Sequence, residues 1–101
     1  MRSTADKKRE LNIISFHNWM ICVCRSIAFQ SLPTQTILTA ATTVVDIGKI
    51  TRRDIVDFDG DDIIQLLRVT LLDLCTQRID LKDTTKIDVR INCLKQVIDT
   101  W

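Results

Sequence analysis

Glycine is nearly absent from this 101-residue sequence, which contains only Gly48 and Gly60. Phosphate-binding loops need glycines at fixed spacing, as in G-x-x-x-x-G-K-S/T or G-x-G-x-x-G, and neither pattern occurs. Proline is found once, at Pro33, and no serine-, proline- or glycine-rich stretch separates two parts of the chain. These absences exclude the common nucleotide-binding enzymes. They predict a single domain over residues 1–101, in which residues 1–10 form a flexible basic tail.

The sequence also lacks a set of residues that could converge as acid, base and nucleophile. His17 is the only histidine, and it lies between Phe16 and Asn18 in an apolar segment, with no nucleophile-elbow sequence in the chain. We interpret it as a partly buried side chain that is hydrogen-bonded to the backbone. The prediction is a protein that is not an enzyme and has no catalytic residues.

No metal-binding pattern is present. Cys22 and Cys24 lie two residues apart on a predicted helix and so point to nearly opposite faces, while Cys75 and Cys93 stand alone. We expect all four to be buried, reduced thiols that pack as small hydrophobic side chains.

Aspartates crowd around Gly60, but their spacing does not form a calcium loop. If an EF-hand loop began at Asp57, its glycine would fall at position 4 instead of 6 and Arg68 would replace the glutamate at position 12. We interpret these aspartates as helix caps and predict no metal and no cofactor.

Long apolar runs are missing as well. The segment 11–29 is the most apolar, but its longest unbroken run is Trp19–Cys24, and Arg25 in a bilayer would cost about 2.5–3.5 kcal/mol. The charged N-terminus does not resemble a secretory signal. The sequence therefore predicts a cytoplasmic protein of the reducing intracellular compartment, and peripheral membrane association through helix 11–29 is kept as an alternative.

Charge is distributed unevenly along the chain, although the net charge is only +1. Residues 11–45 contain one charged side chain, Arg25, whereas residues 46–62 contain six acidic side chains. The near balance gives no overall attraction to nucleic acid.

Apolar residues recur at helical spacing in most of the chain. The first predicted helix carries a stripe of Ile13, Phe16, Met20, Val23 and Ile27. The segment 34–47 fits a helix that ends at Gly48, but its β-branched residues also fit a strand. A short helix is predicted from Thr51 to Phe58, and Asp61 is predicted to cap a longer one that runs to about Arg78.

The last segment has the spacing of a heptad repeat, at Ile87, Ile91, Leu94, Ile98 and Trp101. Residues 86–93 alternate as a strand would, so helix and strand both remain open there. The fold class predicted is all-α, a small single-domain bundle of four to five helices.

The function predicted is a small protein–protein interaction module that self-associates as a homodimer or higher oligomer. The acid-free segment 11–45 has more apolar surface than two helices usually bury. Candidate interaction residues are Phe16, Trp19, Met20, Ile98 and Trp101. Twelve aspartates accompany a single glutamate, although glutamate is the better helix former. Because such bias can arise in compact viral genomes, a viral accessory or host-modulating role is a further hypothesis.

The alternative is a regulator that binds nucleic acid through its basic residues. The candidates for nucleic-acid contact are Lys7, Lys8, Arg9, Arg78, Lys82, Lys86 and Arg90. The last four are spaced by four, but they share one face only if a single helix runs through Asp80 and Asp83. No aromatic residues for base stacking lie among them, so protein binding is favoured over nucleic-acid binding.

Overall fold

The computed structural model describes residues 14–22, 31–50 and 59–100, and within these ranges the chain forms helices and no strand. Residues 14–22 are helical (α1), Thr34–Asp46 form α2, Gly60–Ile79 form α3 and Thr85–Thr100 form α4. The predicted small all-α bundle is therefore confirmed. The short helix predicted from Thr51 to Phe58 lies outside the described residues.

The segment 34–47, for which the sequence left helix and strand open, forms helix α2. Thr43 fits a helix because its hydroxyl group bonds within it: the side chain is fully buried, and its Oγ1 donates to the carbonyl oxygen of Thr39 at 2.7 Å. Ile37, Ala41 and Val44 then lie on one buried face. Burial of this apolar stripe outweighs the strand preference of the β-branched residues.

The end of α2 is set by Gly48, as predicted. Its φ of +74° is a left-handed conformation that other residues adopt at a cost. The Gly48 amide donates to the Val45 carbonyl at 2.9 Å, and the Lys49 amide donates to the Val44 carbonyl at 3.3 Å. These two bonds form a Schellman motif, which satisfies carbonyl groups that the end of a helix leaves open.

Helix α3 begins two residues earlier than predicted. Asp59 is its N-cap and accepts a hydrogen bond from the Asp62 amide at 2.9 Å, while Asp62 accepts one from the Asp59 amide at 3.3 Å. This capping box satisfies two open amides at once. The expectation that Asp61 caps the helix is wrong, because Asp61 lies in the first turn.

Residues 86–93, for which the sequence also left helix and strand open, are helical throughout and belong to α4. Ile87, Ile91 and Leu94 are buried as the predicted heptad requires. In the following turn Val97 is fully buried, whereas Ile98 is only half-buried. The heptad residues therefore serve the interior of the bundle.

The core lies where α4 packs against both α2 and α3, with α1 contributing two large side chains, Phe16 and Met20. The buried apolar side chains that the other three helices contribute to this core cluster are Ile37, Ala40, Ala41, Val44, Ile63, Leu67, Leu74, Ile87, Ile91, Leu94 and Val97. Helix α3 thus faces the core with one side, and its other side is left to solvent.

Candidate functional site

The four predicted interaction residues that the structure describes do not form an exposed patch. Phe16 and Met20 have no exposed surface and belong to the core. Trp19 and Ile98 are half-buried and pack against that core, and Trp101 lies outside the described residues. In this structure Phe16 and Met20 stabilise the bundle and offer no contact to a partner.

The basic residues predicted for nucleic-acid contact do not share one helix. Helix α3 ends at Ile79 and α4 begins at Thr85, so the four-residue spacing from Arg78 to Arg90 is interrupted by a turn. Arg78 and Arg90 are also paired: Arg78 Nε lies 2.7 Å from Asp88 Oδ1, and Arg90 Nη2 lies 2.7 Å from Asp46 Oδ2. Lys7, Lys8 and Arg9 lie outside the described residues. Two of the four described candidates are thus neutralised by acids on the same molecule.

The charged groups at the start of α4 have a structural role. The hydrogen bond from Arg78, and a second from the Thr84 hydroxyl at 2.9 Å, hold the pKa of Asp88 below its usual value. The same bond to Asp88 raises the pKa of Arg78. Bonds from the backbone amide and hydroxyl of Thr85 lower the pKa of Asp83. These carboxylates are ionised at neutral pH and fix the first turn of the helix.

A groove of about 620 Å³ lies beside this turn, where α4 meets the end of α3. The residues that line it are Thr39, Leu74, Gln77, Leu81, Asp83, Lys86, Ile87, Val89 and Arg90. Leu81 and Val89 are 46% and 54% exposed. Because Asp83 is bonded to Thr85 and Arg90 to Asp46, the wall offers apolar contact and no acid–base pair.

The described cysteines and His17 do not belong to a group of side chains that could hold a metal ion. The expectation of buried thiols is wrong for Cys22 and Cys75, which are exposed, and Cys24 is not described. His17 is half-buried, as predicted, and its Nε2 atom is buried without a hydrogen-bond partner among the described residues. In the same ranges, no three His, Cys, Asp or Glu side chains are placed to hold a metal ion.

The outer side of α3 carries an exposed apolar stripe. Val69 is 42% exposed, Leu72 68% and Ile79 81%. Thr76 lies between Leu72 and Ile79, and its hydroxyl donates to the Leu72 carbonyl at 3.0 Å, so its hydrogen is not offered to solvent. These four residues, the α3 stripe, are spaced by three, four and three, which places them along one side of the helix.

The α3 stripe was not predicted from the sequence. Leucine and isoleucine occur on nearly every side of this helix, so apolar spacing alone does not single out its outer side. The available signal was a second set of apolar residues, Val69, Leu72 and Ile79, that also repeats at heptad spacing. When a helix with two such stripes buries one of them in the core, the other stripe stays exposed.

No described helix is long and apolar enough to cross a membrane. Comparisons of this chain with protein families, with curated proteins and with solved structures found no match. The function is therefore inferred from the residues of this chain alone.

Proposed function

We propose that this protein is a small non-enzymatic interaction module that self-associates through the α3 stripe. The observation that carries the proposal is the exposure of Leu72 and Ile79, which lie two helical turns apart on the same side of α3. Single exposed apolar residues are common on protein surfaces, but apolar residues aligned along one helix face are typical of interaction sites.

A second copy is the occupant that the stripe fits best. Spacing of three, four and three is the pattern by which two helices interlock their side chains, and the same stripe on both copies is complementary to itself. Thr76 does not interrupt it, because its hydroxyl is bonded to the Leu72 carbonyl and its methyl group completes the apolar row. Self-association through this face leaves the core unchanged.

The contact is short, so the association is weak. It spans about three helical turns, which is small compared with the roughly 1,600 Å² of a standard stable interface. We expect a dissociation constant on the order of 10–100 µM. The protein is then monomeric when dilute and dimeric at high local concentration, which suits a module that bridges or sequesters other proteins.

Sedimentation velocity from low to high micromolar concentration tests the proposal. We expect the wild-type protein to shift from monomer to dimer over this range and Leu72→Lys to remain monomeric. The matched control is Val89→Lys, because Val89 is also more than half exposed but lies in the groove on α4. Circular dichroism of each variant checks that the helices are retained.

Two results would overturn the proposal. One is a wild-type protein that stays monomeric at high micromolar concentration. The other is a dimer that Val89→Lys disrupts while Leu72→Lys does not, since that result would assign the interface to the groove.

A further inference from the structure

We infer that the two copies pair their α3 helices in parallel and in register, with Arg68 of each copy beside Asp73 of the second copy. This inference rests on the proposed function, because it concerns the arrangement of the same stripe. It is carried by two features of α3: the charges beside the stripe and the unequal burial of its two flanks. The residue types in the stripe fit a two-stranded pair.

The residue types favour a pair over a larger assembly, and they do not set the direction of the second helix. In heptad notation Val69 and Thr76 occupy a positions, and Leu72 and Ile79 occupy d positions. Valine at a with leucine at d is the combination that gives two strands in parallel coiled coils. Val69 and Leu72 fit this rule, and Thr76 shares the β-branch of valine. Ile79 departs from it at the last residue of the helix, where packing is least constrained.

The charges beside the stripe favour a parallel, in-register pair. Arg68 precedes the first a residue and occupies a g position, while Asp73 follows the first d residue and occupies an e position. In a parallel, in-register pair, the g residue of one helix lies beside the e residue of the following heptad on the second helix. Arg68 of each copy therefore lies beside Asp73 of the other, and the symmetric pair contains two such contacts. Lys49 Nζ lies 2.7 Å from Asp73 Oδ2, so in the pair Arg68 would share this carboxylate with Lys49.

An antiparallel pair places like charges together. Aligning Val69 with Ile79 and Leu72 with Thr76 of the second copy brings the two e rows to the same side. The two Asp73 carboxylates then lie opposite each other, and like charges at such positions are destabilising.

The two flanks of the stripe differ in burial, and this difference favours the parallel pair on steric grounds. On the e side, Leu66 and Asp73 are half-buried because the rest of the molecule lies against them. On the g side, Arg68 and Cys75 are exposed. A parallel pair joins an e side to a g side and leaves the two protein bodies on opposite sides of the helix pair. An antiparallel pair joins e to e, so the bodies compete for the same space.

Single-cysteine crosslinking distinguishes the two arrangements. One variant has the four native cysteines replaced by serine and carries Leu72→Cys, which places a thiol at a d position that faces itself in a parallel pair. The matched variant retains Cys75 alone; Cys75 is at a g position, which faces itself only in an antiparallel pair. Disulfide formation needs Cβ atoms about 3.5–4.5 Å apart, so oxidation at high micromolar protein should crosslink the first variant and not the second.

A charge variant gives an independent readout. In the parallel pair, Arg68→Glu replaces two attractive contacts by two repulsive ones, and we expect the dissociation constant to rise about tenfold. Lys95→Glu makes the same change of net charge on α4, at an exposed side chain, and should leave the dissociation constant within about twofold of wild type.

The outcomes separate this inference from the proposed function. If wild type does not dimerise in sedimentation, both are wrong. If it dimerises but only the Cys75 variant crosslinks, or Arg68→Glu fails to weaken the dimer, the parallel arrangement is wrong while self-association stands.

Discussion

At the scale of single residues, aspartate rather than glutamate starts helices α3 and α4. Asp59 and Asp62 form the capping box of α3, Asp83 binds the amide of Thr85, and Asp88 binds the hydroxyl of Thr84 at the start of α4. The short aspartate side chain reaches nearby backbone and hydroxyl donors, which explains its preference for helix starts. The excess of aspartate is thus partly structural.

The cap of α3 gives the first prediction. Asp59→Ala removes the acceptor of the Asp62 amide, and we expect the free energy of unfolding to fall by about 1 kcal/mol. Asp61→Ala is the matched control, since Asp61 contributes only its charge near the helix start and should cost about 0.3–0.5 kcal/mol. Urea denaturation of both variants measures the difference. An equal or larger loss from Asp61→Ala would show that the cap is misassigned.

The second prediction concerns pH and the Asp88 carboxylate. Because its pKa is lower in the folded protein, its bonds to Arg78 and Thr84 stabilise the fold above the unfolded pKa of about 3.9. That stabilisation is lost as the pH falls through the lowered folded value. Asp88→Asn should therefore be less stable than wild type at pH 7, and the difference should shrink steadily below about pH 4. Urea denaturation at several pH values tests this, and a difference that is constant with pH would contradict it.

At the scale of helices, apolar spacing predicted α3 and the ends of α2 and α3, but it left helix and strand open for residues 34–47 and 86–93. Helix α3 was expected to end near Arg78 and ends at Ile79, and α2 ends where Gly48 indicated. The spacing could not predict which side of α3 is exposed, because a sequence shows how many apolar stripes a helix has and does not show which stripe the neighbouring helices cover. Leu72 and Cys75 became exposed because α2 and α4 pack against the opposite side.

The two sides of α3 give the third prediction. Leu67 has no exposed surface, whereas Leu72 is 68% exposed five residues later on the same helix. Leu67→Ala leaves a cavity and should lower the free energy of unfolding by about 2–5 kcal/mol. Leu72→Ala should change it by less than about 0.5 kcal/mol in the dilute monomer. Urea denaturation at low micromolar protein measures both, and comparable losses would mean that Leu72 is buried in solution.

At the scale of the whole molecule, the described helices are held together by their shared core, and the ion pairs between them lie at the surface. In the described ranges, Lys49 pairs with Asp73, Arg78 with Asp88 and Arg90 with Asp46, with side chains that are 34–51% exposed. Exposed pairs add little to stability because water and salt screen them. The net charge of +1 adds almost no self-repulsion for salt to relieve.

The last prediction compares the contribution of the surface ion pairs with that of the buried core. Raising sodium chloride from 0.1 M to 1 M shortens the screening length from about 10 Å to about 3 Å and so weakens all three pairs. We expect the resulting loss of unfolding free energy in the dilute monomer to be smaller than the loss from Leu67→Ala. Asp46→Asn, which removes the acid of the pair between α2 and α4, should cost about 0.2–1 kcal/mol at low salt and less at high salt. A salt effect as large as the Leu67→Ala loss would mean that these surface pairs, and not the apolar contacts of α4 with α2 and α3, hold the helices in place.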